Sequence, residues 1–131
     1  LKNGEIIIDN NDLETSAMAS IATDLTLDKL TIKNSGKANI HPDNTLTFPT
    51  NGINITSGTL NQTGNITLQG TALNITGGTY NQYGTLTALL LQEIVINGTL
   101  SLATNYSINT TTNITIQPGG QITHEKHSTT H

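Results

Sequence analysis

The chain has no cysteine, no tryptophan and no arginine, and its 131 residues include three prolines and four aromatic side chains, Phe48, Tyr80, Tyr83 and Tyr106. Without cysteine, no disulfide contributes to stability, which must come from a regular apolar stack with closely paired backbone. So few rings leave little for base stacking or for an aromatic core. Charge is scarce as well: charged residues make up 11 % of the chain, against roughly 25 % in ordinary globular domains. Five lysines and nine acids give a net charge of −4. No basic patch exists to meet phosphates, so no nucleic-acid partner is expected. No stretch approaches the ~18 apolar residues of a spanning helix, so no membrane span is expected, and the start has no signal-peptide pattern. The chain opens at Leu1 without an initiator methionine, from which removal of an earlier leader is the expectation. Its length fits one domain.

What fills the sequence instead is hydroxyl, amide and β-branched carbon. Sixteen Asn, twenty-five Thr and seven Ser build the polar surface, and sixteen Ile supply much of the apolar mass. Disordered chains combine high net charge with few β-branched residues. This chain has the reverse, and it reads as folded and rich in strand.

The organising feature is an internal repeat. Residues 53–72 (INITSGTLNQTGNITLQGTA) and 73–92 (LNITGGTYNQYGTLTALLLQ) share nine of twenty columns, among them Asn54/Asn74, Gly58/Gly78, Thr59/Thr79, Asn61/Asn81 and Gly64/Gly84. A third copy begins near Glu93 and keeps Gly98-Thr99-Leu100 in frame. Residues 109–113 (NTTTN) read as an insertion before ITIQPGGQIT, and Ile32–Gly36 reads as an earlier copy. Inside each copy apolar residues alternate (Ile53, Ile55, Leu60, Ile66, Leu68), the period of a strand with one buried face. Ser-Gly, Gly-Gly, Asn-Gly and Pro-Gly-Gly interrupt the strands as turns. Short strands at a fixed interval of 20–22 residues fit one coil each of a single-stranded parallel β-helix, stacked at about 4.8 Å, whereas identity of columns is not something an antiparallel β-sandwich, the alternative, requires. The domain reading is an atypical N-terminal segment over 1–24, β-solenoid repeats over 25–123 and a polar tail over 124–131.

In the first segment Glu5-Ile6-Ile7-Ile8-Asp9 reads as a strand, and Asp12–Ser20 as the start of a short helix capped by Asn11 or Asp12. Three consecutive isoleucines are apolar on both faces of a strand, and both faces need cover. Ile6, Ile7 and Ile8 are therefore candidate assembly residues: residues 1–10 are expected either to pack against a second copy by strand addition or to form a self-contained cap.

The functional constellations are sparse. Between Ala38 and His124 the charged residues are Asp43 and Glu93 alone. Acid–base chemistry at a sugar needs a positioned pair of carboxyls or an equivalent base, and two carboxyls fifty residues apart in a charge-free stretch do not promise one. No enzyme activity, catalytic residue or cofactor is expected. His124, His127 and His131 have the spacing of a helical metal site, yet Thr129 and Thr130 oppose a helix and no cysteine or carboxylate completes the set, so a plain tail is expected and no metal. The Thr59/Thr79/Thr99 and Thr67/Thr87/Ser107 columns raise an ice-binding face as a minor alternative, weakened by the Asn and Ser mixed among the Thr. Eight Asn-x-Ser/Thr sequons, at Asn54, Asn61, Asn65, Asn74, Asn97, Asn105, Asn109 and Asn113, are about twice what this composition gives by chance. They are candidate glycosylation sites of an exported protein.

Strings such as SGTLNQTGNITLQG, GGTYNQYGTLTA and NGTLSLATN, over roughly residues 52–108, resemble the repeats of bacterial filamentous-haemagglutinin and autotransporter-type adhesins. That resemblance implies a right-handed parallel β-helix with coils of this length and carries over no catalytic or binding residue. The Thr/Asn-rich, sequon-rich composition also resembles secreted surface-filament subunits of archaea. The combined expectation is a secreted, cell-surface structural protein that assembles with copies of itself into a fibre, through solenoid ends or the N-terminal strand. The alternative is an adhesin-type module recognising surface glycans.

Overall fold

The computed structural model describes residues 4–9, 19–69, 72–91, 93–103, 105–110 and 115–124. They form a β-solenoid of about five turns, built from three sheets in which every pairing is parallel. Sheet A runs, in spatial order, through β1 (Glu5–Asp9), β4 (Lys29–Lys33), β7 (Ile53–Ile55), β10 (Ala72–Ile75), β13 (Glu93–Ile96) and β16 (Thr115–Ile116). Sheet B holds β2 (Ala19–Ile21), β5 (Gly36–Ile40), β8 (Gly58–Gln62), β11 (Thr79–Gln82), β14 (Thr99–Leu102) and β17 (Gln121–His124). Sheet C holds β3 (Leu25–Thr26), β6 (Thr45–Phe48), β9 (Asn65–Gln69), β12 (Leu86–Leu91) and β15 (Tyr106–Thr110). The chain visits A, B and C in turn, and each visit adds one strand to the growing edge of that sheet. The antiparallel alternative is thereby replaced by the coil that the repeat interval called for.

Period-two alternation decides which side chains enter the prism between the sheets. In sheet A the inward column Ile8, Ile32, Ile55, Ile75, Ile96, Ile116 stacks isoleucine on isoleucine through six strands. A second column, Ile6, Leu30, Ile53, Leu73 and Ile94, lies beside it. Sheet B contributes Ala38, Leu60, Tyr80 and Leu100, and sheet C contributes Leu46, Ile66, Leu86 and Phe48, Leu68, Ala88. Apart from the exposed Ile116 and the partly buried Ile6 and Ile8, which pack against the rest, these side chains form one continuous buried cluster. β-branched side chains suit this geometry because their fixed χ1 repeats identically from coil to coil.

The ladder begins earlier than the repeat search suggests. β1, β2 and β3 make a first coil in register with the second, Ile6 pairing with Leu30 and Ile21 with Ile40. The expected short helix from Asp12 falls on residues 11–18, outside the described residues, while Ala19 and Ser20 of that stretch belong to β2. Among the described residues there is no helix. The expected insertion at 109–113 is described only at Asn109 and Thr110, which belong to β15.

Coil length varies at the corners and, in β12, within the strand, where the register shifts between Ala88 and Leu91. Residues 41–44 and 49–52 make four-residue turns in the second coil, so its columns in sheets A and B lie 23 and 22 residues from the third, against 20 between the third coil and the fourth. At the A-to-B corner Gly36 stacks on Gly58, and Gly78 stacks on Gly58 from the other side. Gly58 has φ +118° and Gly78 φ +78°, and a Cβ at either would collide with the glycine carbonyl of the coil before. The close stacking of corners, not the turn alone, excludes a side chain there.

Ile75 sits mid-column with no solvent exposure, and Ile75→Ala is expected to cost about 2–5 kcal/mol by urea denaturation. Gly58→Ala is expected to cost more than about 1 kcal/mol, though it removes no contact. A Gly58→Ala chain of wild-type stability would refute the corner-stacking account.

Candidate functional site

The outward faces carry the polar columns. In sheet B, Ser20, Asn39, Asn61, Asn81, Ser101 and Thr123 stack in one column, with Lys37, Thr59, Thr79, Thr99 and Gln121 in the next. Asn81 Nδ2 donates to Asn61 Oδ1 at 2.9 Å, a bond of one amide to the next along the column. In sheet C the hydroxyl column runs further than the repeat indicates, through Thr26, Thr47, Thr67, Thr87 and Ser107. Its neighbour on the same face is mixed, starting from Asp24 and Thr45 and passing to Asn65, Thr85 and Asn105. Asp24 accepts from Asn44 Nδ2 (3.1 Å) and from the Thr45 backbone N–H (2.9 Å). The bond from Asn44, followed by that from Thr45, holds the Asp24 carboxyl below its usual range.

The candidate sequons divide by position. Asn54 and Asn74 are neighbours in the outward column of sheet A, half-buried between strands. Asn61 lies within the amide ladder, and Asn65 Oδ1 accepts from the Thr85 N–H at 3.3 Å. Asn97 and Asn105 are exposed in corners, Asn105 with φ +54°. Asn109 lies in β15, and Asn113 is outside the described residues.

Of the three consecutive isoleucines, Ile6 and Ile8 pack against the core and Ile7 points outward, 52 % exposed. β1 is fixed to β4 by more than apolar contact. Glu5 pairs in register with Lys29 and Asp9 with Lys33. Thr31 Oγ1 donates to Glu5 Oε2 at 3.1 Å, Asn34 Nδ2 donates to Asp9 Oδ1 at 2.8 Å, and Lys33 Nζ stands 3.9 Å from Asp9 Oδ2.

The carboxyls weighed for catalysis stand at different corners. Asp43 is exposed in the turn after β5, its Oδ2 4.0 Å from His41 Nδ1. Glu93 opens β13 on sheet A, where its Oε1 accepts from Asn74 Nδ2 at 3.2 Å. Among the described residues no three His, Asp or Glu side chains gather as a metal site. His124 ends an inward column of sheet B, edge-on to Tyr106 with ring centroids 5.7 Å apart. His127 and His131 are outside the described residues. Among the described residues no helix is long and apolar enough to cross a membrane.

The polar group that the sequence reading passed over is inside. Gln62 and Gln82 are fully buried. Gln62 Nε2 donates to the carbonyls of Gly64 (3.0 Å) and Thr85 (2.8 Å), and its Oε1 accepts from the Tyr80 hydroxyl at 2.5 Å. Gln82 repeats the arrangement one coil on, donating to Gly84 O at 2.6 Å and accepting from the Ala103 N–H at 2.7 Å. Burial pushes the Tyr80 hydroxyl far above its ordinary range, so it remains a donor. The signal was present: Gln62 lies two residues beyond Leu60, on the inward parity. Each glutamine satisfies the carbonyl of the corner glycine two residues on, Gly64 or Gly84, while the Thr85 carbonyl accepts from Gln62 in addition to the Ile66 N–H. No protein-family model, curated protein or solved structure matches this chain.

Tyr80→Phe leaves Gln62 Oε1 without its buried donor and is expected to cost about 1–3 kcal/mol. In a double-mutant cycle with Gln62→Leu, the two losses are expected to sum to clearly more than the double variant loses. Simple additivity would mean that the hydroxyl and the amide do not depend on each other.

Proposed function

We propose that this protein is a non-enzymatic structural subunit of an extracellular fibre or cell-surface filament, in which the ladder of one copy continues into the next. One observation carries the reading: among the described residues the isoleucine column of sheet A runs unbroken from one edge strand of the sheet to the other, with no strand beyond either. β1 and β16 are the two edge strands of that sheet, Ile8 and Ile116 end the same column, and Ile116 is 52 % exposed. Ile122, ending a column of sheet B, is 36 % exposed. Because every pairing is parallel, a second copy placed on the first repeats the translation that relates one coil to its neighbour. Such a contact joins unlike surfaces and does not close, so it propagates as a filament. Strand edges supply backbone pairing and the open isoleucines supply apolar contact.

The lateral faces fit a shaft. From residue 44 to 124 Glu93 is the one charged residue, and the outward columns are hydroxyls and amides without a clustered acid–base group. A secreted setting is supported by the excess of sequons, two of them at exposed corners. The adhesin alternative is favoured by one local feature, a groove on sheet A taken up below. The ice-binding alternative has the long hydroxyl column of sheet C in its favour, but Asp24 and Asn65 interrupt the regular grid of Thr that such a face needs.

Negative-stain microscopy of the purified chain is expected to show filaments, and Ile116→Lys, which sets a charge on the open end of the core, is expected to suppress them. A monodisperse monomer at high concentration overturns the proposal. The joining route is read separately. Cysteines replacing Ile7 and Thr31, directly opposite on adjacent strands, are within disulfide reach. When an Ile7→Cys chain is mixed with a Thr31→Cys chain and oxidised, a covalent heterodimer means that β1 is donated to β4 of another copy. Filaments without that crosslink mean stacking of intact ends.

A further inference from the structure

Most outward columns of the stack are uniform in size. The first column of sheet A is not. In order it reads Glu5, Lys29, Gly52, Ala72, Glu93: Lys29 is opposite Glu5, Ala72 opposite Glu93, and the residues preceding Ile53 and Leu73 are Gly52 and Ala72. Two long polar side chains thus stand three rungs apart, roughly 14 Å at about 4.8 Å per rung, with almost no side chain between them. The result is a groove of about 230 Å³ along the stack, floored by Gly52 and Ala72 and bounded by Lys29, Asn51, Asn54, Asn74 and Glu93.

The bounding groups are held in place. Asn51 Nδ2 donates to Asp28 Oδ1 at 2.9 Å, and Asn74 Nδ2 donates to Glu93 Oε1 at 3.2 Å. Asn74 Oδ1, shielded from solvent, has no hydrogen-bond partner, a position that costs free energy until a donor arrives. The carboxylate of Glu93, held by Asn74, and the amide of Asn51, held by Asp28, suit the hydroxyl groups of a ligand laid along the groove. Among the described residues that line the groove the single cation is Lys29, flanked by Glu5 in register and by Asp28 in sequence, so they offer an anion little net attraction. No aromatic ring is among them, and the floor is small and apolar.

From these features we infer that the groove binds a neutral oligosaccharide, two or three pyranose rings laid along the solenoid axis. The less polar faces of the rings rest on Gly52 and Ala72, and their hydroxyls meet Asn51, Asn74 and Glu93. The groove is formed within one copy, so the inference depends on neither route of assembly.

The test uses the chain carrying Ile116→Lys, produced in a bacterial host so that Asn54 and Asn74 bear no sugar, titrated calorimetrically with cellotriose and with the fully N-acetylated chitotriose. At least one trisaccharide is expected to bind saturably. Ala72→Phe, which fills the groove from its floor without touching the core, is expected to weaken binding at least about tenfold. Glu93→Gln, which keeps the shape and removes the charged acceptor, is expected to weaken it less, and Thr87→Val on sheet C not at all. Ala72→Phe and Glu93→Gln chains that both bind like the parent overturn the inference, as does failure of both trisaccharides to bind at millimolar concentration. Binding by the Ile116→Lys chain, where the unsubstituted chain forms no filaments, leaves the groove standing and the fibre reading refuted; filaments of the unsubstituted chain, where Ile116→Lys binds neither trisaccharide, do the reverse.

Discussion

In-register parallel stacking places each strand residue about 4.8 Å from its counterpart one coil away, and that translation governs the composition of the whole chain. A residue tolerated at one level must tolerate a neighbour of the same kind at the next. Apolar residues gain from this, as the six-membered isoleucine column of sheet A shows. Hydroxyls and amides are indifferent to it or gain a ladder bond, as between Asn81 and Asn61. Charges lose, because like charges directly opposite repel. The scarcity of Lys, Asp and Glu over most of the chain follows from the stack itself. Where charges do sit on adjacent strands, their sign alternates: Glu5 with Lys29, and Asp9 with Lys33.

The same translation makes the corners the hardest places to build. Strands stack through hydrogen bonds and alternate side chains, but corners must stack backbone on backbone while turning. At the A-to-B corner the answer is a glycine at each level, since a Cβ would meet the carbonyl of the coil before. At the B-to-C corner it is a glutamine turned inward, whose amide bonds the corner carbonyl of Gly64 and adds a second bond to that of Thr85. A buried amide costs little when both of its ends are engaged and much when one is not, which is why Tyr80 and the Ala103 N–H complete the two glutamines.

These constraints explain what was legible in the sequence. Alternation in Ile53–Ile55 and Leu73–Ile75, together with identity at interval twenty, is the direct imprint of stacking, and it yielded the coil, its length and the hydroxyl columns. The first coil escaped because its register is kept by pairing chemistry, not by identity. Ile6 matches Leu30 and Ile8 matches Ile32 at an interval of 24, with acid facing lysine where later coils place like beside like. Asn74 escaped for a related reason. Identity with Asn54 suggests a ladder bond between the two, but its amide turns the other way, to Glu93, where the column changes. Sites, unlike folds, lie where a repeat is broken, and a pattern search discounts such positions as noise.

That asymmetry bears on how a solenoid acquires function. A perfectly repeated face offers every level the same groups, which suits a shaft and gives a small ligand no preferred place to rest. Recognition needs a local departure with walls and a floor. In this chain the departure costs the core nothing: Gly52 and Ala72 replace outward side chains, while Ile53 and Leu73, the residues that follow them, remain buried in their column. Inward parity carries the fold and outward parity is free to vary, one residue at a time, without a register shift. A short change from long to small side chains between Lys29 and Glu93 is therefore sufficient to place a groove on sheet A while the inward columns beneath it run on unbroken.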